Sequence, residues 1–255
     1  MLRGPWRAPP FPHVASDDGS GCWMSVVCAT MREGPIRFTD DNVGCHTEVG
    51  LMTAHAVLLG DSIFDNESYT GGLPDVASCL RDCGPTGKVT LLARDGATTH
   101  ELYEQLERVP AGATHFALSV GGNDALMEMD RVVASDSIRT LNEATETIAE
   151  NYLGAFRAVE EVVGARPLVV CQIYNPRFPD PHLQTIAVTA LRCINDVIAQ
   201  VATASGRPLV DLRHVCTRDA DFYNPIEPSH EGGKRIAEAL ANAFATEGAG
   251  IRNGG

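Results

Sequence analysis

A serine lies directly beyond an apolar run, with acidic residues on both sides of it. Residues 56–59 (AVLL) are followed by Gly60, and Asp61, Ser62 and Asp65 come next. A serine on a loop beyond the carboxyl end of a strand faces the crevice in which α/β proteins bind ligands, and its hydroxyl attacks a carbonyl carbon when a base takes the proton. The alternative for this short motif alone is a turn in which Asp and Ser side chains bond their own backbone. Ser62 is therefore the first candidate nucleophile.

Two further loops carry groups that suit acyl transfer. Gly96 follows the second predicted strand and Asn123 follows the third. Acyl transfer needs hydrogen-bond donors aimed at the developing oxyanion, and a glycine lets the backbone approach a ligand closely. The backbone amides of Ser62 and Gly96 and the side-chain amide of Asn123 are the candidate donors.

These loops need rigid elements behind them, and the hydrophobic periodicity supplies strands that alternate with helices. Strands are predicted at residues 55–59, 88–92, 114–120, 167–173 and 207–212. Helices are predicted at about residues 75–82, 136–163, 183–204 and 229–246. A further helix is predicted just after Thr98 and Thr99, either of which can cap it. Five alternations predict a parallel sheet with helices on both faces. The loops beyond the strands then share one edge of that sheet.

Composition indicates one globular domain with an extension in front of it. The 255 residues are 44% hydrophobic and carry a formal net charge of −13, which argues against nucleic acid as a partner. With no apolar run near about 18 residues and no signal peptide, we expect a soluble, cytoplasmic protein without a membrane span. Residues 1–51 are rich in proline and lack periodicity, so we expect a poorly ordered extension, a domain over 52–248 and a flexible tail over 249–255.

The eight cysteines show no Cys-x-x-Cys pair. Cys79 and Cys83 are close in sequence but have no histidine at zinc-ligand spacing. We expect the cysteines to be small buried hydrophobes, and we expect neither a metal nor another cofactor.

At the three polar loops the chain resembles the SGNH or GDSL hydrolase family. Residues 60–63 (GDSI) match the first block of that family, Gly96 its second, and residues 121–124 (GGND) its third, in order. The resemblance covers roughly residues 55 to 245. It implies a three-layer α/β/α, flavodoxin-like sandwich around a parallel five-stranded sheet, and metal-free hydrolysis of carboxylic esters or thioesters. It also implies a serine nucleophile, glycine and asparagine oxyanion donors, and an Asp-x-x-His pair near the carboxyl terminus.

The last block departs from the family pattern. Its proline and glycine fit residues 224–232 (NPIEPSHEG) only if Asn224 takes the place of the acid and Glu227 that of the histidine. One alternative is a shifted loop in which Glu227 orients His230, a base at a helix amino terminus. In a second alternative the base is His214, the last residue of the sequence Asp211-Leu212-Arg213-His214. In a third, Glu227 itself faces Ser62, and a carboxylate with a pKa of about 4.3 is a poor base unless burial raises it.

The prediction is a serine esterase that acts on short to medium acyl esters through an acyl-enzyme. Ser62 attacks, His230 transfers the proton, Glu227 orients His230, and Gly96 and Asn123 join the Ser62 amide at the oxyanion. The residues expected to support these loops are Asp61, Asp65, Asn66 and Asp124. The residues expected to line an acyl pocket are Arg94, Tyr174 and Arg177. The competing function is a catalytically impaired binding module for carbohydrate or acyl ligands on the same fold.

Overall fold

A computed structural model describes residues 54–83, 86–135 and 137–250. The predicted extension over residues 1–51 lies outside these residues, as does the end of the predicted tail. The last helix runs to Gly250, so the first residues of that tail are helical.

Five parallel strands form one sheet in the order β2-β1-β3-β4-β5. The strands are β1 (Ala54–Gly60), β2 (Thr86–Leu91), β3 (His115–Ser119), β4 (Leu168–Gln172) and β5 (Leu209–Asp211). The central strands are built of apolar residues because helices cover both faces of the sheet. Residues 56–59 of β1 and Leu168, Val169 and Val170 of β4 have no solvent exposure. The predicted three-layer α/β/α fold is confirmed.

Within the residues that the structure describes, seven α-helices flank the sheet. They are α1 (Val76–Cys83), α2 (Leu102–Glu107), α3 (Gly122–Ser135), α4 (Ile138–Val163), α5 (Pro181–Ala204), α6 (Leu212–Val215) and α7 (His230–Gly250). Helix α7 contacts α1 and α6 in one layer, and α2 to α5 form the other. Helix α5 is long and apolar enough to cross a bilayer by length and composition. In the fold, it packs against β4, α3 and α4.

Three sequence expectations differ from the structure. Helix α3 was not predicted, because the turn-forming residues Gly122 and Asn123 look like a loop but begin the helix directly after β3. The fifth strand is shorter than predicted, since α6 begins at Leu212. Cys83 and Cys193 are exposed, whereas Cys79, Cys171 and Cys216 are buried as expected.

Two buried side-chain amides fix the strand ends that lead into the polar loops. Gln105 of α2 accepts a hydrogen bond from the backbone N–H of Gly60 and donates one to its carbonyl, both at 2.8 Å. Asn195 of α5 does the same for Ile173, at 2.8 and 2.9 Å. Each amide thus pairs both backbone groups of one residue where a strand ends.

Candidate active site

The loop that carries Ser62 turns sharply at the end of β1. Gly60 has a φ of +131°, and a Cβ there would lie 1.7 Å from the Ser119 carbonyl oxygen. Beyond it, the backbone N–H of Asp61 donates to that same carbonyl at 3.1 Å. The N–H groups of Phe64 and Asp65 then both donate to the Asp61 carbonyl at 3.1 Å. This tight turn holds Ser62 at the sheet edge, 7% exposed.

The loop that carries Gly96 is tied to the Ser62 loop. The Asp65 carboxylate accepts a hydrogen bond from the backbone N–H of Asp95 at 2.8 Å. Gly96 itself is exposed, with a φ of +77° that favours glycine. It lies outside the residues that line the cavity described below.

Asn123 and Asp124, in the first turn of α3, bind the same loop from the other side. The Asn123 side-chain amide donates to the Ala97 carbonyl at 2.9 Å. The Asp124 carboxylate accepts from the backbone N–H and the hydroxyl of Thr99, at 3.0 and 2.6 Å. An amide nitrogen carries two hydrogens, so one N–H of Asn123 remains for a ligand.

The fourth loop is a short hairpin that presents Glu227. Phe222 and Pro228 form an antiparallel bridge. The Asn224 side-chain oxygen accepts the backbone N–H groups of Ile226 and Glu227, both at 2.9 Å. Asn224 thus caps the turn instead of serving as an acid, and Glu227 ends 6% exposed.

Ser62 and Glu227 meet in this arrangement. Both residues line the same cavity. The Oε2 atom of Glu227 is buried and has no hydrogen-bond partner within the described part of the chain. Burial raises the pKa of Glu227, an interaction with the Ser62 side chain opposes that effect, and the charge of Asp95 adds to it. A buried carboxylate with elevated basicity therefore lines the same cavity as the candidate nucleophile.

Asp61 is a second buried carboxyl group at this site. Burial raises its pKa to about 8, and the charges of Glu227 and Asp124 add to the effect, whereas the hydrogen bond from the Ile63 N–H opposes it. Asp61 is then mostly protonated at neutral pH, and it does not place a second full negative charge beside Glu227.

The structure does not bring the two candidate histidines to Ser62. The Nδ1 atom of His230 donates to the Pro74 carbonyl at 2.8 Å, because α7 begins alongside the segment that precedes α1. The Nδ1 atom of His214 lies 3.0 Å from the Asp211 carboxylate, and the His214 side chain is 84% exposed. Neither histidine lines the cavity that holds Ser62 and Glu227. The arrangement matches the third alternative, in which Glu227 itself faces the serine.

An apolar cavity of roughly 770 Å³, including its open mouth, extends from Ser62 and Glu227 between three helices. Its apolar walls are Leu126, Met129 and Val132 of α3, Leu141, Ala144 and Ile148 of α4, and Ile186, Ala187 and Leu191 of α5. Tyr174 lines it as expected, whereas Arg94 and Arg177 do not. The walls of this cavity were not predicted from the sequence, because one of them is the unpredicted helix α3. The apolar spacing of Leu126, Met129 and Val132 is the sequence signal that could have indicated this helix.

Comparisons with known proteins point to one family. The sequence model of the GDSL-like lipase/acylhydrolase family matches residues 58–235. No curated protein matches the chain. Among solved structures, a lipase from a goat rumen metagenome is 21% identical, with a TM-score of 0.58 over 75% of this chain and 97% of that one.

Two Streptomyces enzymes have similar structures. An extracellular lipase from Streptomyces rimosus is 18% identical, with a TM-score of 0.61 over 74% of this chain and 99% of its own. A phospholipase A1 from Streptomyces albidoflavus is 15% identical, with a TM-score of 0.59 over 76% and 99%. At these sequence identities the structural similarity shows only a shared fold.

Proposed function

Because the chain belongs to the GDSL-like lipase/acylhydrolase family, a family of ester hydrolases, we propose that it cleaves carboxylic esters through an acyl-enzyme on Ser62. The observation that carries this proposal is that Ser62 and the buried Glu227 carboxylate line one apolar cavity. A nucleophile needs a neighbouring group that accepts its proton. Glu227 is such a group.

The apolar cavity favours an acyl group of short to medium length as the part of the substrate that enters. Its walls are mainly aliphatic side chains from α3, α4 and α5, and none of the described lysines, arginines and histidines lines it. Burying a methylene group in such surroundings gains about 0.8 kcal/mol. Affinity for the acyl chain should therefore grow with its length until the cavity is filled.

The developing oxyanion is proposed to bind three donors: the backbone N–H groups of Ser62 and Gly96 and the free side-chain N–H of Asn123. Asn123 lines the cavity together with Ser62. Gly96 is exposed on the adjoining loop, which Asp65 and Asp124 hold in place through Asp95 and Thr99. Substrate binding would have to bring the Gly96 amide to the oxyanion.

Hydrolysis of p-nitrophenyl esters by the wild type and Ser62→Ala tests this proposal. The acetate, butyrate and decanoate esters sample the acyl cavity. The wild type should turn over these esters, and Ser62→Ala should lose activity by at least about 1,000-fold. Equal rates for the two proteins would rule out the serine mechanism.

A binding module for acyl or carbohydrate ligands is the second candidate function. It is favoured by a specific observation: within the described residues no histidine lines the cavity, and the family histidine position holds Glu227. This candidate predicts saturable binding of decanoate by calorimetry, unchanged in Ser62→Ala, with negligible ester turnover by the wild type. Turnover that depends on Ser62 would exclude it.

A further inference from the structure

We infer that the Glu227 carboxylate is the general base that takes the Ser62 proton, in a serine–carboxylate dyad that works without a histidine. This inference rests on the proposed ester hydrolysis and assigns the group that activates its nucleophile. Glu227 is buried, takes the place of the family histidine in the sequence, and lines the same cavity as Ser62.

The hairpin that presents Glu227 is held by several neighbours. Its own backbone closes through the Tyr223 N–H and the Glu227 carbonyl at 2.9 Å. The hydroxyl of Tyr174 donates to the Ile226 carbonyl at 2.7 Å. The side-chain amide of Asn66 donates to the Pro228 carbonyl at 3.2 Å. Glu227 is thus fixed relative to Ser62 from both sides, as a base must be.

A shift of the loop that would place His230 at Ser62 conflicts with this packing. His230 follows Glu227 by three positions, so the hairpin would have to advance by three residues. Gly232, in the first turn of α7, lies so close to the preceding segment that a Cβ would be 2.1 Å from the Asp221 carbonyl oxygen. A three-residue shift would put another residue at the position of Gly232, where there is no room for a larger side chain.

The groups that face Glu227 leave it basic. Asp95 and Asp61 are acidic, and Asp61 is mostly protonated at neutral pH. The pKa of Tyr69 is raised by burial and by its hydrogen bond to Asp95, and the pKa of Tyr174 is raised by burial, so both phenols stay neutral. No cation lines the cavity among the described residues. Burial and negative surroundings make a glutamate a stronger base than it is in water.

In the proposed reaction, Glu227 takes up and returns a proton in both acylation and deacylation. The Ser62 oxygen attacks the ester carbonyl carbon while its proton passes to Glu227, and the carbonyl electrons become the oxyanion. When the oxyanion collapses, the bond to the alcohol breaks and the alcohol leaves with the proton from Glu227. Water then attacks the acyl-enzyme, gives its proton to Glu227, and collapse releases the acid as Ser62 recovers that proton.

Covalent labelling of Ser62 by a fluorophosphonate tests the role of Glu227 as the base. This reagent reacts with the serine itself, so no particular ester substrate has to be chosen. The labelling rate is measured against pH by intact-protein mass spectrometry for the wild type, Glu227→Gln, Glu227→Asp and Glu231→Gln. Glu231, exposed in the first turn of α7, is the matched control for removing a carboxylate. Glu227→Gln should slow labelling by roughly 100- to 10,000-fold, whereas Glu231→Gln should label like the wild type.

The pH dependence separates a base from a structural residue. In the wild type the rate should rise with pH through a midpoint above the ordinary glutamate pKa of about 4.3, because the carboxylate must be ionised to accept a proton. Glu227→Gln should lose this rise while keeping the thermal unfolding midpoint of the wild type. Glu227→Asp should label more slowly but keep the rise.

Different results would contradict the role of Glu227 as the base and the role of Ser62 as the nucleophile. Labelling that is fast in Glu227→Gln and keeps the wild-type pH profile would overturn the inference and leave the serine mechanism standing. Loss of labelling in His230→Gln with a normal unfolding midpoint would also overturn it. Labelling that is no different in Ser62→Ala would instead remove the proposed function itself.

Discussion

The side-chain amide of Asn66 donates a hydrogen bond to the carbonyl oxygen of Pro228 at 3.2 Å, and thereby joins the loop of Ser62 to the loop of Glu227. The oxygen of the same amide accepts the backbone N–H of Val76 at 2.9 Å. Asn66 has no solvent exposure. One buried side chain thus positions the nucleophile loop, the hairpin and the start of α1 relative to one another.

Replacement of this amide should damage both stability and catalysis. Asn66→Ala leaves the Val76 N–H without its acceptor in a buried place, and we expect a loss of roughly 2–4 kcal/mol in the free energy of unfolding. We also expect kcat to fall by up to about 100-fold, because Glu227 would no longer be held at Ser62. Chemical denaturation and ester kinetics measure the two effects. Asn142→Ala, on the exposed side of α4, is the control and should change neither; similar losses there would contradict the role given to Asn66.

Asp61 should make the protein less stable as the pH rises. Its pKa is about 8 in the folded chain, well above the unfolded value, so the folded state holds the proton more tightly. Stability from this group is complete below about pH 4 and falls by roughly 1.4 kcal/mol per pH unit until about pH 8. Asp61→Asn, which cannot ionise, should unfold at a higher temperature than the wild type at about pH 8 and show a flatter pH dependence. Parallel curves for the two proteins would show that Asp61 is not held protonated.

Gly60 should tolerate no side chain. A Cβ at this position would lie 1.7 Å from the Ser119 carbonyl oxygen, and the φ of +131° is strained for any other residue. We expect Gly60→Ala to lose more than about 4 kcal/mol of stability or to be insoluble. Gly112→Ala is the control, since a Cβ there meets nothing within 4 Å. Soluble expression and thermal unfolding are measured for both variants. Similar values for Gly60→Ala and Gly112→Ala would refute the close approach of β1 and β3 at Gly60.

A larger residue inside the cavity should shift the acyl-length preference. Ala187 of α5 is 2% exposed and lines the cavity. In Ala187→Leu, kcat/KM for the decanoate ester should drop roughly tenfold or more relative to the acetate ester, because one or two methylene groups in a pocket have that effect. Ala204→Leu, at the exposed end of the same helix, should leave the ratio unchanged. An unaltered ratio in Ala187→Leu would place the acyl chain elsewhere.

The sequence predicted the sheet well because the signal for it is local. Short apolar runs such as residues 56–59 and 168–170 favour covered strands, and the alternation of strands and helices leaves few topologies. Helix α3 escaped because its first residues, Gly122 and Asn123, are turn formers, although the segment packs against α4 and α5 as a helix.

The partner of Ser62 was not predictable with the same certainty. Residues 224–230 contain two acidic or basic candidates, Glu227 and His230, and nothing local distinguishes them. What places Glu227 at the serine are distant contacts, from Asn66 and from Tyr174 to the hairpin. His230 is drawn away by the Pro74 carbonyl, 156 residues earlier in the chain.

The central claim, an acyl-enzyme on Ser62, is tested most directly by acid quenching of the protein during turnover of p-nitrophenyl butyrate and peptide mapping by mass spectrometry. The account predicts a butyryl group on the peptide that contains Ser62, present in the wild type and absent in Ser62→Ala. A protein that hydrolyses the ester with the butyryl group on another residue, or with the same adduct in Ser62→Ala, would contradict it.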